Sequence, residues 1–125
     1  MSECFTKWCR GAALMLLLWV LSPGAMAADL KLMMVTQPGC AWCARWKKEI
    51  GPAWPKTAEA ARAPMFEQDL HADLPEGVTL ARPPVYTPTF ILLADGKEVD
   101  RVEGYAGRDF FWTMIDDLLA QAPEK

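Results

Sequence analysis

Residues 30 to 36, Leu-Lys-Leu-Met-Met-Val-Thr, form a short and almost continuously apolar run. That pattern predicts a central strand buried on both faces. From Ala41 the spacing changes: Cys43, Trp46, Ile50 and Trp54 recur at helical intervals while Arg45, Lys48 and Glu49 fall on the other side, so a helix is expected. Gly51-Pro52 and Trp54-Pro55 end or kink it. The alanine-rich stretch 56–63 supplies a further short helical piece before Pro64, and Met65 to Leu70 reads as a second strand that completes a β-α-β unit. Residues 71–84 carry Pro75, Gly77, Pro83 and Pro84, which predicts an irregular connection. Phe90-Ile91-Leu92-Leu93 is apolar throughout and reads as another buried strand, Asp95-Gly96 as a tight hairpin turn, and the charged stretch from Glu98 to Glu103 as an edge strand. Gly104 and Gly107 bracket Tyr105 in a second turn. In the last element Phe110, Phe111, Met114, Ile115, Leu118 and Leu119 form one apolar helix face opposite Asp116 and Asp117. The order is β-α-β, an irregular link, then β-β-α: an α/β chain with a mixed central sheet flanked by helices.

The beginning of the chain does not fit this pattern. Lys7 and Arg10 precede an apolar run from Ala12 to Leu21, helix-breaking Ser22-Pro23-Gly24, and the small-residue sequence Ala25-Met26-Ala27. These are the three parts of a secretory signal peptide, so residues 1–27 are expected to be cleaved and residues 28–125 to form the domain. The apolar run is about half the ~20 residues that span a bilayer, which makes a retained membrane anchor the weaker alternative. With 125 residues in all, one domain is the expectation. Thirteen basic residues face sixteen acidic ones with no basic stripe, and nothing in that mixture suggests nucleic acid.

Export alters the meaning of the cysteines. Loss of Cys4 and Cys9 leaves only Cys40 and Cys43, in a compartment where disulfides persist. Their setting is Gln37-Pro38-Gly39-Cys40-Ala41-Trp42-Cys43, a strand feeding a Pro-Gly turn that opens a helix. Cys40 therefore falls at the helix N-terminus, where unpaired N–H groups and the helix dipole favour a thiolate. A thiol with pKa ~8.5 is only a few per cent ionised at neutral pH, and a shift to ~7 ionises about half of it. Cys43, nearly a turn further on and less exposed, reads as the thiol that resolves a mixed disulfide. Two other readings stand beside this one. Zinc requires more ligands than the pair supplies, and His71 is read as a solvated loop residue. A structural disulfide across so short a loop stabilises little. Met33 and Met34 are read as core filler within their strand and not as copper ligands.

A C-x-x-C motif at the start of the first helix, followed by Thr87-Pro88 opening a buried strand, a hairpin and a terminal helix, resembles the thioredoxin superfamily from Leu30 to about Leu119. The resemblance implies a thioredoxin-like fold, a cis bond before Pro88, and a Thr87 backbone that holds an incoming substrate strand beside Cys40. More narrowly, Gln-Pro-Gly-Cys, Ala-Arg-Trp after the motif, Pro-Ala-Trp-Pro-Lys-Thr and Glu-Gly-Tyr with Asp-Phe-Phe-Trp resemble the SoxS-type thioredoxins of bacterial sulfur-oxidation systems. This implies a periplasmic, monomeric thiol:disulfide oxidoreductase acting as a reductase. Its expected partners are an exported protein with a disulfide or modified cysteine, such as a sulfur-carrier protein, and a membrane thiol-electron donor. No organic cofactor and no metal are expected. A disulfide-donating oxidase and a copper(I)-delivery protein are the alternatives. Two departures from thioredoxin itself stand out: Ala41-Trp42 replaces Gly-Pro between the cysteines, and Met34 occupies the position of a buried aspartate, so Cys43 must exchange its proton with another group or with water. Trp42 is either an apolar substrate platform or a cover for the helix end.

Overall fold

In a computed structural model, the described residues are 24 and 26–124; residues 1–23 and 25 of the expected signal peptide lie outside them. Four strands form one sheet in the order β2-β1-β3-β4, with β1 at Leu30–Thr36, β2 at Met65–Asp69, β3 at Thr89–Ala94 and β4 at Lys97–Glu103. β1 pairs parallel to β2 and antiparallel to β3, which in turn pairs antiparallel to β4. The helices are α1 at Ala41–Glu49, α2 at Ala58–Arg62 and α3 at Arg108–Ala120, with a 3-10 turn at Trp54–Lys56 between the first two. The parallel β1–β2 pair requires a crossover, and α1 and α2 make it. Among the described residues no helix is long and apolar enough to cross a membrane.

The two apolar central strands separate two cores, because successive side chains leave a strand on opposite faces. Leu32, Met34, Phe90 and Leu92 face α1 and α3, where Trp46, Trp54, Phe111 and Ile115 complete the larger core. Phe111 is central to it: its ring lies 5.1 Å from Phe90 and 5.7 Å from Trp46, edge-on to both. Met33, Val35, Ile91 and Leu93 face the other way and form a smaller core under Phe66, Leu70, Val78 and Leu80. This second face is roofed by the irregular segment, not by a helix.

Two sequence expectations meet exceptions here. Phe110 lies outside the apolar face of α3 and is 67% exposed: that face is centred on Phe111, Ile115, Leu118 and Leu119, and Phe110 falls beyond its margin. In β4, the charges of Glu98 and Arg101 are buried, with side chains only 5% and 4% exposed and paired at 2.6 Å. The ladder slips between Leu92 and Leu93, which oppose Asp100 and Glu98, leaving Val99 as an extra residue. That bulge places two residues three apart on the same face. There Glu98 accepts from the Ala81 N–H at 2.7 Å and Arg101 donates to the Arg82 carbonyl at 2.7 Å, fastening the roof to the sheet. Thr79 also pairs with the start of β4, exchanging backbone bonds with Gly96 and Glu98.

The ends of the domain meet at one pole. The Asp29 N–H donates to the Asp95 carboxylate at the hairpin, and residues Ala27, Ala28 and Leu30 share a cleft with Ala122, Pro123 and Glu124.

Candidate active site

β1 ends at Thr36, the pole opposite the hairpin, and delivers the chain into the Pro38-Gly39 turn. Gly39 takes φ +77, a left-handed conformation that side chains disfavour, and this turns Cys40 to the head of α1. Cys40 is the N-cap residue: its backbone is extended and its Sγ lies 3.1 Å from the Cys43 N–H. The Cys40 sulfur thus sits where the orphan amides of the helix point. Cys40 and Cys43 form a disulfide, with Cα atoms 5.3 Å apart. Cys43 is 4% exposed and belongs to the large core with Trp46, whereas Cys40 is partly exposed. The asymmetry of access expected of an attacking and a resolving thiol is present in the geometry.

The Thr87–Pro88 peptide bond is cis, and Pro88 is fully buried. Gln37 connects this loop to the cysteine turn: its Nε2 donates to the Thr87 hydroxyl at 2.9 Å, while its carbonyl accepts from the Cys40 N–H at 3.3 Å. Gln37 was not singled out from sequence. Its signal there was only its place before Pro-Gly, and the partner that gives it meaning lies fifty residues away. Among the described residues the N–H and C=O of Thr87 make no hydrogen bond within the chain, so both are open to an added strand. Val85 and Tyr86, just before it, are exposed apolar side chains, as is Trp42, which is 52% exposed.

A cleft of about 520 Å³ runs along the other side of the disulfide, lined by Thr36, Gln37, Cys40, Cys43, Lys47 and Asp69 among others. Met34 is fully buried in the same core as Cys43, and the residue opposite it on β2 is Glu67, which holds Lys47 at 2.9 Å. Among the described residues no buried carboxylate replaces the missing aspartate under Cys43. The charged groups nearest in the cleft are the exposed Lys47 and Asp69. His71 is exposed and distant in role, its N–H bonded to the Asp69 carboxylate. Among the described residues no group of three or more His, Cys, Asp or Glu side chains is arranged to hold a metal ion.

Comparison with solved structures decides what this arrangement belongs to. The periplasmic thioredoxin SoxS from Paracoccus pantotrophus, in its reduced form, is 48% identical, with a TM-score of 0.73 over 74% of this chain and 98% of that one. The chain is a SoxS-like member of the thioredoxin superfamily. A thioredoxin from Fasciola hepatica, 20% identical with a TM-score of 0.50 over 74% of this chain and 83% of its own, shares the fold. No family model matches the sequence, and the comparison with curated proteins returns no match. This thioredoxin is a thiol:disulfide oxidoreductase, with its C-x-x-C pair at the expected position.

A further polar network lies outside the cleft, at the far end of α1. Tyr105 donates to Glu49 at 2.6 Å, and Arg45 donates to the other oxygen of the same carboxylate at 2.9 Å. The hydrogen bond from Tyr105, then that from Arg45, holds the Glu49 carboxyl below its ordinary value. Burial, and next the bond to Glu49, pushes the Tyr105 phenol up to about 12.

Proposed function

We propose that this thioredoxin is exported by a cleavable signal peptide at residues 1–27 and works in the periplasm as a reductase. Its substrate is an exported protein carrying a disulfide or modified cysteine, and a sulfur-carrier protein of a sulfur-oxidation system is the specific candidate. The observation that carries this reading is the 48% identity to a periplasmic SoxS along nearly its whole length. Cys40, Cys43, Trp42, Thr87 and Pro88 are the working residues. The reduced Cys40 thiolate attacks one sulfur of the substrate disulfide, the second substrate sulfur leaves and takes a proton from water, and a mixed disulfide remains. Cys43 then loses its proton to water in the adjoining cleft and attacks the Cys40 sulfur, expelling the substrate thiolate. Two electrons have passed to the substrate, and the Cys40–Cys43 disulfide is the oxidised product. A membrane thiol-electron donor restores the dithiol. Thr87 offers its free backbone groups to an extended substrate segment, and Trp42 supplies an apolar contact beside the attacking sulfur.

Because only Cys43 can release the partner from within, Cys43→Ser expressed in the periplasm should accumulate a reductant-sensitive covalent complex, and Cys40→Ser should not. A cysteine-bearing sulfur-carrier protein should be among the trapped partners. Equal trapping by both variants, or by neither, overturns the assigned roles. Unrelated partners alone would leave the mechanism and remove the sulfur-oxidation assignment. Direction is tested by equilibration with glutathione buffers: a potential near about −270 mV supports a reductase, and one near about −120 mV would make the protein an oxidase.

A further inference from the structure

Trp42 is the exposed aromatic of the C-x-x-C motif, and its indole is not left to itself. The Arg45 guanidinium carbon lies 5.5 Å from the centre of the Trp42 ring. Arg45 is in turn fixed by Glu49, whose two carboxylate oxygens are both used, one by the Arg45 Nε–H and the other by the Tyr105 hydroxyl. Tyr105 is only 6% exposed and stands edge-on to Phe111, 6.0 Å away, in the large core. The four residues thus connect the core to the rim of the reactive site: a buried phenol fixes a carboxylate, the carboxylate fixes a guanidinium, and the planar cation meets the electron-rich face of an indole. A long arginine side chain left free on a helix surface would sample many rotamers and hold nothing.

We propose that Tyr105, Glu49 and Arg45 are positioning residues that hold Trp42 in place as a preordered aromatic contact for a protein partner docking at Cys40. The inference rests on the reading of Trp42 as a substrate contact. An indole that is already ordered loses less conformational freedom when a partner covers it, so the benefit falls on binding. The sulfur chemistry is separate, since none of the three residues lines the cleft beside the cysteines.

The test uses the pre-reduced protein with two oxidants, insulin as a protein disulfide and 2-hydroxyethyl disulfide as one too small to cover Trp42. Glu49→Gln and Tyr105→Phe should each raise the KM for insulin by roughly two- to fivefold, the range of an exposed cation–π contact, with kcat and the small-disulfide rate unchanged. In a Trp42→Ala background neither should have any further effect. With 5-fluorotryptophan incorporated, the fluorine resonance that disappears in Trp42→Phe should shift in both variants. An insulin defect that persists without Trp42, an equal loss with both oxidants, or an unmoved Trp42 resonance would overturn the positioning. A Trp42→Ala variant that reduces insulin with the wild-type KM would overturn the premise itself, the docking role of Trp42.

Discussion

Glu98 and Arg101 show how a charged residue can be structural in a strand that looks like an open edge. Burial works against ionisation of Glu98, but hydrogen bonds from the Arg101 guanidinium and the Ala81 N–H outweigh it and leave the carboxyl below 4.5. A buried pair that loses one partner keeps an uncompensated charge, so Arg101→Met should lower stability by about 3 kcal/mol at pH 7 and the Tm by roughly 15 °C. The sign of the pH dependence follows from the depressed Glu98 value. Its contribution is complete above 4.5 and is lost as pH falls through the lower folded value, so the gap between variant and wild type should close on acidification. Denaturant unfolding of the two proteins at pH 7 and pH 4 measures it, and a gap that widens at low pH would contradict the assignment. Cys40 compresses a different economy into one residue: its sulfur occupies the capping position of the helix whose amides favour its thiolate.

At the scale of elements, α3 separates adjacent phenylalanines. Phe111 is 3% exposed and touches the rings of Trp46, Phe90 and Trp54, whereas Phe110 is mostly in solvent. Phe111→Ala should cost about 3–5 kcal/mol and Phe110→Ser less than about 0.5 kcal/mol, as read by thermal or urea unfolding. The same helix marks the limit of what periodicity can tell. Every strand and α-helix of the described residues was legible in sequence to within a residue or two, because Leu32 to Val35 and Phe90 to Leu93 carry no polar interruption and the turns carry Gly or Pro. The C-x-x-C site was legible because it is local. What escaped was everything depending on an unseen partner: the bulge at Val99 that turns Glu98 inward, the grip of Gln37 on Thr87, and buried Gln68, whose side-chain amide holds the carbonyls of Asp69, Ala72 and Asp73. A polar residue that satisfies distant backbone has the same local pattern as one that faces water.

For the whole molecule, the two faces of the sheet are built unequally. An aromatic core and two helices back the face that carries Cys43, and a proline-bearing segment held by the Glu98–Arg101 pair, an Arg82–Glu103 ion pair and a few backbone bonds covers the other before running into Val85, Tyr86 and Thr87. The strand that leads to the disulfide spans its seven residues, roughly 20 Å, away from the pole where residues 27–30 and 122–124 come together. A leash attached at either end therefore aims the reactive sulfur outward from its support. Protein immobilised through residue 28 or through a tag after residue 124 should reduce a small disulfide at the rate of the free protein, measured on beads against solution, and a marked loss from either end would show that the attachment pole obstructs the site. The same orientation makes the molecule indifferent to how it is delivered: released by cleavage or kept on a membrane stem, it presents the same disulfide to the same side.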